Sequence, residues 1–140
     1  MYSKYFLDLE VNPEFDKEFI SLFDGWLGKD NLHKLDEVTE NEWRGFNALI
    51  KLISENYDVA QADCGSQSIC DIGDINEVIS TYREAMDKDS SQFTKLVIPA
   101  LGCVLTEDWD YTYILWHKEN GALEALTPLI NKAGLYHFHD

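Results

Sequence analysis

"EDWDYTYILWHK", residues 107–118, decides how this chain is expected to fold. Its first part is acidic and polar, which favours a turn, and residues 111–118 carry the aromatic and β-branched side chains that favour a strand. The preceding segment "FTKLVIPALGCVL", residues 93–105, predicts a buried strand with a bulge or a sheet edge at Pro99 and Gly102. We therefore predict an antiparallel hairpin, which makes an antiparallel sheet the basis of the fold.

The second strand of this hairpin has two rows of side chains, because alternate residues of a strand point to the same face. The first row is Trp109, Tyr111, Tyr113, Leu115 and His117, and the second row is Asp110, Thr112, Ile114, Trp116 and Lys118. If helices cover the first row, it is core, which is the usual fate of an aromatic strand. If they cover the second row, the first row faces solvent or a partner, where aromatic residues with polar tips are enriched.

The N-terminal segment predicts a strand followed by a helix. Residues 2–11 alternate between apolar and polar side chains, which is typical of a half-buried strand. Asn12 and Pro13 suit the start of a helix. The apolar residues of that helix recur at helical spacing: Phe15, Phe19, Leu22, Phe23 and Trp26.

Two capping signals predict further helices. "TENE", residues 39–42, is a capping box and begins a helix. Its inner face would be Trp43, Phe46, Leu49, Ile50, Ile53 and Tyr57. "DINE", residues 74–77, begins a third helix with an inner face of Val78, Ile79, Tyr82 and Met86. Residues 58–73 between these two helices carry no regular pattern and predict a long loop, which is often functional.

The C-terminal segment predicts a helix over "ALEALTPLINKAG", residues 122–134, and a last short strand over "LYHFHD", residues 135–140. Pro128 should kink the helix and Gly134 should cap it. The order is β-α-α-α-β-β-α-β. The sequence thus predicts one α+β domain over residues 1–140, with a mainly antiparallel four-stranded sheet and helices packed on one face.

The charge of the chain restricts the classes of partner. Eleven Lys and Arg residues face 26 Asp and Glu residues, a formal net charge of −15. Direct binding to nucleic acid or to an anionic membrane needs cations that this chain lacks. A basic protein is the natural complement, because opposite fields accelerate encounter, although acidity by itself also keeps a protein in solution.

Cysteine usage and hydropathy predict a cytoplasmic protein. The three cysteines are Cys64, Cys70 and Cys103, and an odd number argues against a secreted disulfide framework. We expect no signal peptide. No apolar run reaches the roughly 20 residues that a membrane-spanning helix needs.

No motif for catalysis, a cofactor or a metal is expected. The phosphate-binding glycine motifs and the GxSxG elbow are missing. Cys64 and Cys70 are spaced too widely for a zinc knuckle. His137 and His139 share a face of the last strand, and with His117 on a neighbouring strand they would offer three zinc ligands, but closure of the sheet edge by these histidines is the simpler interpretation.

The acidic residues are more informative, because Lys and Arg are absent between Lys51 and Arg83. Self-repulsion in such a segment is unfavourable unless a cation or a basic partner uses it. The 58–73 loop and the hairpin turn thus predict a partner-binding set. Its members are Asp58, Asp63, Asp71, Asp74, Glu107, Asp108, Trp109, Asp110 and Tyr111.

These features are typical of a small acidic cytoplasmic protein that masks a basic partner. Bacterial immunity proteins, which inhibit toxins such as nucleases, are the clearest example of that class. One alternative is a small-ligand or metal-dependent enzyme with a pocket beside the aromatic hairpin, where His117 and His137 would titrate. Another alternative is a structural or regulatory subunit with an apolar interface. The inhibitor hypothesis assumes that the acidic loop and the hairpin turn lie on one side of the molecule.

Overall fold

The computed structural model describes residues 1–140 and has a seven-stranded antiparallel sheet at its centre. The strands of the chain are β1 Phe6–Leu7, β2 Glu10–Val11, β3 Asp16–Ser21, β4 Ala60–Asp63, β5 Ser68–Asp71, β6 Lys95–Ile98, β7 Cys103–Asp108, β8 Thr112–His117 and β9 Tyr136–Phe138. The α-helices are α1 Tyr2–Tyr5, α2 Glu40–Asn56, α3 Tyr82–Asp87 and α4 Asn120–Lys132. The large sheet has the order β5-β4-β6-β7-β8-β3-β9, and β1 and β2 form a separate two-stranded sheet.

The predicted hairpin is confirmed as β7 and β8. Glu107 pairs with Tyr113 and Asp108 pairs with Thr112, so residues 109–111 form the turn. The first interpretation of the strand faces holds within β8: Tyr113 and Leu115 belong to the main core beneath the helices. Trp116, from the second row, lies against the opposite face of the sheet.

Helices α2, α3 and α4 cover one face of the sheet, as predicted. Their apolar residues form the main core with the helix-facing side chains of β3, β6, β7 and β8. Phe46 of α2 stacks on Tyr113 with ring centroids 5.1 Å apart. The opposite face is covered by the N-terminal segment, in which Tyr5, Phe6 and Phe15 pack on the sheet.

The prediction of a strand over residues 2–11 is wrong. The segment contains the single turn of α1 and the small hairpin of β1 and β2, which reverses at Asp8 with a φ of 56°. Tyr5 and Phe6 are both buried, whereas Leu7 and Leu9 are exposed. Consecutive burial is incompatible with one regular strand, so the alternation in the sequence did not correspond to two faces.

The prediction of a helix after Pro13 is also wrong, because residues 16–21 form β3 between β8 and β9. The helix prediction depended on Phe15, Phe19 and Phe23, which are spaced by four. That spacing fits one side of a helix and also alternate positions of a strand. Pairing with β8 along all six residues of β3 decides for the strand.

Three further differences separate the structure from the prediction, and the first two raise the number of strands in the large sheet from four to seven. Residues 58–73 are not a loop but contain the β4–β5 hairpin. The single strand predicted over 93–105 is two strands, β6 and β7, separated by a 3-10 turn at Pro99–Leu101 that ends at Gly102 with a φ of 60°. The third helix begins at Tyr82 behind a capping box at Thr81, and only a 3-10 turn follows Asp74.

Other predictions are confirmed. The capping box at Thr39 begins α2, and its five buried residues come from the predicted inner face. Helix α4 contains Pro128 and is followed by Gly134 in the left-handed region, with a φ of 79°. The last strand is β9. None of the helices is both long and apolar enough to cross a membrane.

Candidate protein-binding surface

The sheet divides the predicted acidic set between its two ends. Strands β4 and β7 are both antiparallel to β6, so they run in the same direction. Asp63 at the end of β4 therefore lies at the same end of the sheet as Asp108 at the end of β7. Asp71 pairs with Ala60 at the start of β4, so Asp71 lies at the other end.

Asp58, Asp71 and Asp74 line a depression at that other end, together with Ser54 and Tyr57. Asp71 pairs with Ala60, Ala60 pairs with Val97, and Val97 pairs with Val104. Asp71 is therefore level with Val104, which precedes Asp108 by four residues. The two aspartates are thus about 13 Å apart along the strands and about 14 Å apart across three strand spacings. Asp58, Asp71 and Asp74 therefore do not share one contact surface with the acids of the hairpin turn.

Two members of the predicted set have structural partners. The Oδ1 of Asp63 accepts hydrogen bonds from the backbone N–H of Gly65 at 2.9 Å and of Ser66 at 3.4 Å, which stabilises the β4–β5 turn. The Oε1 of Glu107 lies 2.8 Å from the Nζ of Lys88 and accepts a hydrogen bond from the Thr94 N–H at 3.0 Å. The Glu107 carboxylate is thus neutralised within the fold, whereas that of Asp63 stabilises a turn and keeps its charge.

The turn itself presents Trp109, whose side chain lies between Asp108 and Asp110. Trp109 is 55 % exposed, and its ring makes an edge contact with Phe93 at a centroid distance of 4.7 Å. Asp110 and Tyr111 have φ values of 59° and 57°, a left-handed conformation that is unfavourable for a residue other than glycine. Packing therefore maintains an unfavourable turn that displays an indole ring.

Tyr111 is an anchor of the turn rather than an exposed contact. Its hydroxyl lies 3.1 Å from that of Tyr82, which in turn packs edge-on against Trp43. Burial, together with the hydrogen bond to Tyr82 and the nearby charge of Asp36, raises the pKa of Tyr111 to about 12. The hydroxyl is therefore neutral at physiological pH.

Two grooves flank the turn. The helix groove, about 170 Å³, lies between the turn and helices α2 and α3. Its walls include Trp43, Phe46, Ala85, Met86, Phe93 and Tyr113. The loop groove, about 290 Å³, lies between the turn and the segment after β3. Its walls include Phe23, Trp26, Leu27, Leu32 and Leu35. Asp108, Trp109 and Asp110 border both grooves.

Large exposed apolar side chains concentrate at these grooves. Trp26, Leu32 and Met86 are 56 %, 53 % and 46 % exposed. With Trp109, they are four of the eight large apolar residues that the surface exposes, and clustering of exposed apolar side chains is typical of interaction sites. We call Trp26, Leu32, Met86, Asp108, Trp109 and Asp110 the tip surface.

Sequence reasoning missed three members of the tip surface. Trp26 and Met86 were assigned to inner faces of helices, and Leu32 was not considered. Gly25 and Gly28 flank Trp26, and both have positive φ, 128° and 69°. This pair of glycines was the signal that the segment leaves regular structure and exposes its tryptophan.

His117, His137 and His139 line neither groove. His137 Nδ1 is 2.5 Å from the buried carboxylate of Glu18, and His139 Nδ1 is 3.6 Å from its other oxygen. His117 contacts the carbonyl of Glu119 at 3.2 Å, and β3 separates its strand from β9. No three His, Cys, Asp or Glu side chains of the chain are arranged to hold a metal ion.

The cysteines do not form a site either. All three are free, and Cys103 is buried in the main core. Burial raises the pKa of the Cys103 thiol to about 12, which suppresses the nucleophilic thiolate.

Comparison with known proteins identifies no relative of this chain. No protein-family model matches the sequence, and neither a curated protein nor a solved structure is significantly similar to the chain.

Proposed function

We propose that this chain is a binding protein that masks a basic protein partner, and that the tip surface is its contact site. The observation that carries the proposal is the exposed ring of Trp109, held between Asp108 and Asp110 on a strained turn with an apolar groove on each side. The finer proposal is an immunity-type inhibitor of a bacterial toxin such as a nuclease, acting in the cytoplasm.

The composition of the tip surface supports this role. Tryptophan is among the residues that contribute most binding energy at interfaces, and flanking contacts that exclude water strengthen its effect. Carboxylates beside it add charge complementarity toward lysine and arginine, which mainly accelerates association. A basic cleft, such as the one that a nuclease uses to bind phosphates, would be occluded by such a surface.

The acids at the other end of the sheet are not part of the proposed contact. The separation between Asp71 and Asp108 is about 19 Å, whereas charges are screened over about 8 Å at physiological ionic strength. Asp58, Asp71 and Asp74 therefore contribute to the net charge and to long-range attraction at low salt. This reduces the proposed contact acids to Asp108 and Asp110.

A pull-down from lysate of the source cell, with bound proteins identified by mass, tests the proposal. The test variant combines Asp108→Asn, Trp109→Ala and Asp110→Asn. The control variant is Asp58→Asn with Asp71→Asn, which removes the same charge from the opposite end. We expect the wild-type and control chains to retain one basic protein that the test variant loses. Equal retention by the test variant, or recovery of no basic protein, would refute the proposal.

An apolar interface of a structural or regulatory subunit is the second candidate, because four of the six tip-surface residues are exposed and apolar. Salt separates the two functions. Raising the salt concentration slows association steeply when charge steers the encounter, and it has little effect on an apolar contact. A captured partner whose association rate is unchanged between about 50 and 500 mM salt would favour the second candidate.

A further inference from the structure

Aromatic residues make up half of the lining of the helix groove. Six of its twelve lining residues are aromatic: Trp43, Phe46, Phe93, Trp109, Tyr111 and Tyr113. Packing holds these rings in place, because Phe46 stacks on Tyr113 at 5.1 Å and Phe93 supports Trp109 at 4.7 Å. The walls therefore present aromatic surfaces whose positions are largely set before any ligand arrives.

Acidic side chains border the same groove, and two of them are unused within the chain. Glu107 is neutralised by Lys88 at 2.8 Å. The side chains of Asp108 and Asp110 make no hydrogen bond or ion pair. The hydroxyl of Thr112 donates a hydrogen bond to the backbone carbonyl of Asp110, not to its carboxylate, at 3.2 Å. The groove thus combines aromatic walls with two available negative charges in its lining.

We propose that the helix groove receives one arginine side chain of the partner; this inference rests on the proposed function. A guanidinium group is planar, stacks on aromatic faces and pairs with carboxylates in a bidentate manner. The cavity of about 170 Å³ is small and matches one side chain rather than a segment of backbone. Trp109 provides the stacking surface, and Asp108 and Asp110 pair with the charged head.

Other occupants fit the groove less well. An apolar side chain would remove Asp108 and Asp110 from water without giving them a partner, which is unfavourable. A lysine ammonium group satisfies the charge but lacks the planar face that stacks on aromatic rings. The arginines of this chain do not fill the groove, because Arg44 is paired with Glu40 at 2.6 Å and Arg83 is exposed on α3.

A titration of the intact chain, followed through the tryptophan indole N–H signals in NMR spectra, tests the inference. The probe is the peptide acetyl-Gly-Arg-Gly-amide, and the matched probe carries citrulline, which has nearly the same shape without the charge. A lysine peptide is the third arm. We expect the arginine peptide to shift the Trp109 and Trp43 signals to saturation, the lysine peptide to bind more weakly, and the citrulline peptide to cause no shift at the same concentration.

Variants assign the effect to the groove. Asp108→Asn with Asp110→Asn should raise the Kd of the arginine peptide roughly fivefold, as the loss of two partly exposed ion pairs implies. The control pair Asp58→Asn and Asp71→Asn should leave the Kd unchanged. Equal shifts with citrulline, no shift with arginine, or equal weakening by the control pair would overturn the inference.

The result is separable from that of the pull-down. A partner captured through the tip surface, combined with no response to the arginine peptide, would refute this groove assignment and leave the proposed function intact. Specific arginine binding without capture of any basic protein would refute the masking function and retain the groove as a guanidinium site.

Discussion

The Nζ of Lys88 lies 2.8 Å from the Oε1 of Glu107, and the two side chains are only 14 % and 10 % exposed. This pair joins the end of α3 to β7 one residue before Asp108, directly beside the tip surface. The Nζ of Lys88 also donates a hydrogen bond to the Thr94 hydroxyl at 3.2 Å, so the pair belongs to a small polar network. The network gives the displayed turn a rigid base.

Removing one member of this pair should destabilise the fold strongly. Glu107→Ala leaves the Lys88 ammonium largely buried without a partner, and we expect the free energy of unfolding to fall by about 3 kcal/mol. Adding Lys88→Met should restore most of that loss, because no uncompensated charge remains. Denaturant unfolding of the single and double variants measures both effects. Equal stability of the two variants would contradict a buried ion pair between Lys88 and Glu107.

The turn conformation predicts a stabilising substitution. Asp110→Gly removes the Cβ from a residue with a φ of 59°, and we expect the free energy of unfolding to rise by about 0.5–1 kcal/mol. Asp108→Gly, in the adjacent strand, should lower it by a similar amount, because glycine weakens a strand. Thermal unfolding of both variants gives the sign of each change, and a loss of stability in Asp110→Gly would show that the turn is not strained at this residue.

Gly45 of α2 packs closely against the residues that follow α4. A Cβ at this position would lie 2.8 Å from the Ala133 carbonyl oxygen and 3.2 Å from Cδ2 of Leu135. Alanine normally stabilises a helix relative to glycine by about 1 kcal/mol, but here the contact with the backbone should reverse the sign. We expect Gly45→Ala to destabilise the protein in chemical unfolding.

Gly121 is the matched control for that substitution, since it lies in α4 and a Cβ there would have no atom within 4 Å. Gly121→Ala should therefore raise stability by up to about 1 kcal/mol. If both alanine variants were stabilised, the close contact of Gly45 with Ala133 and Leu135 would be contradicted.

Burial of Cys103 predicts a loss of stability at alkaline pH. Its pKa is raised from 9.0 to about 12 by burial in the folded state. Below pH 9 the thiol is protonated in both the folded and the unfolded state, so it does not change the free energy of unfolding with pH. Between pH 9 and about 12 only the unfolded chain has released it, so the free energy of unfolding falls as pH rises, by up to about 1.4 kcal/mol per pH unit.

Cys103→Ala should remove the part of this slope that the thiol contributes, although it also creates a small cavity that lowers stability at every pH. Unfolding curves of the wild-type and variant chains at pH 8, 9.5 and 11 separate the two effects. Cys70→Ala provides the comparison, because it removes an exposed thiol and retains the buried Cys103, so stability should still fall at alkaline pH. If the free energy of unfolding fell equally with pH in the wild-type and Cys103→Ala chains, the loss of stability could not be assigned to the Cys103 thiol.

Local signals in the sequence determined the elements whose stabilising contacts are close along the chain. The capping box at Thr39 predicted α2, Gly134 predicted the end of α4, and the acidic turn predicted the β7–β8 hairpin, because each depends on hydrogen bonds or conformations within a few residues. The sequence also determined the net charge of −15 and hence the class of partner to expect. Asp108, Trp109 and Asp110 were identified at this level.

Only the tertiary structure decided the number of strands and the extent of the tip surface. The phenylalanines at 15, 19 and 23 fit a helix and a strand equally well, and pairing of β3 with β8, almost a hundred residues away, selects the strand. The same pairing brings the segment with Trp26 and Leu32 beside Trp109, and the packing of α3 on the sheet adds Met86. Contacts between distant segments are not encoded in any local pattern, because their energy exists only once the chain has folded.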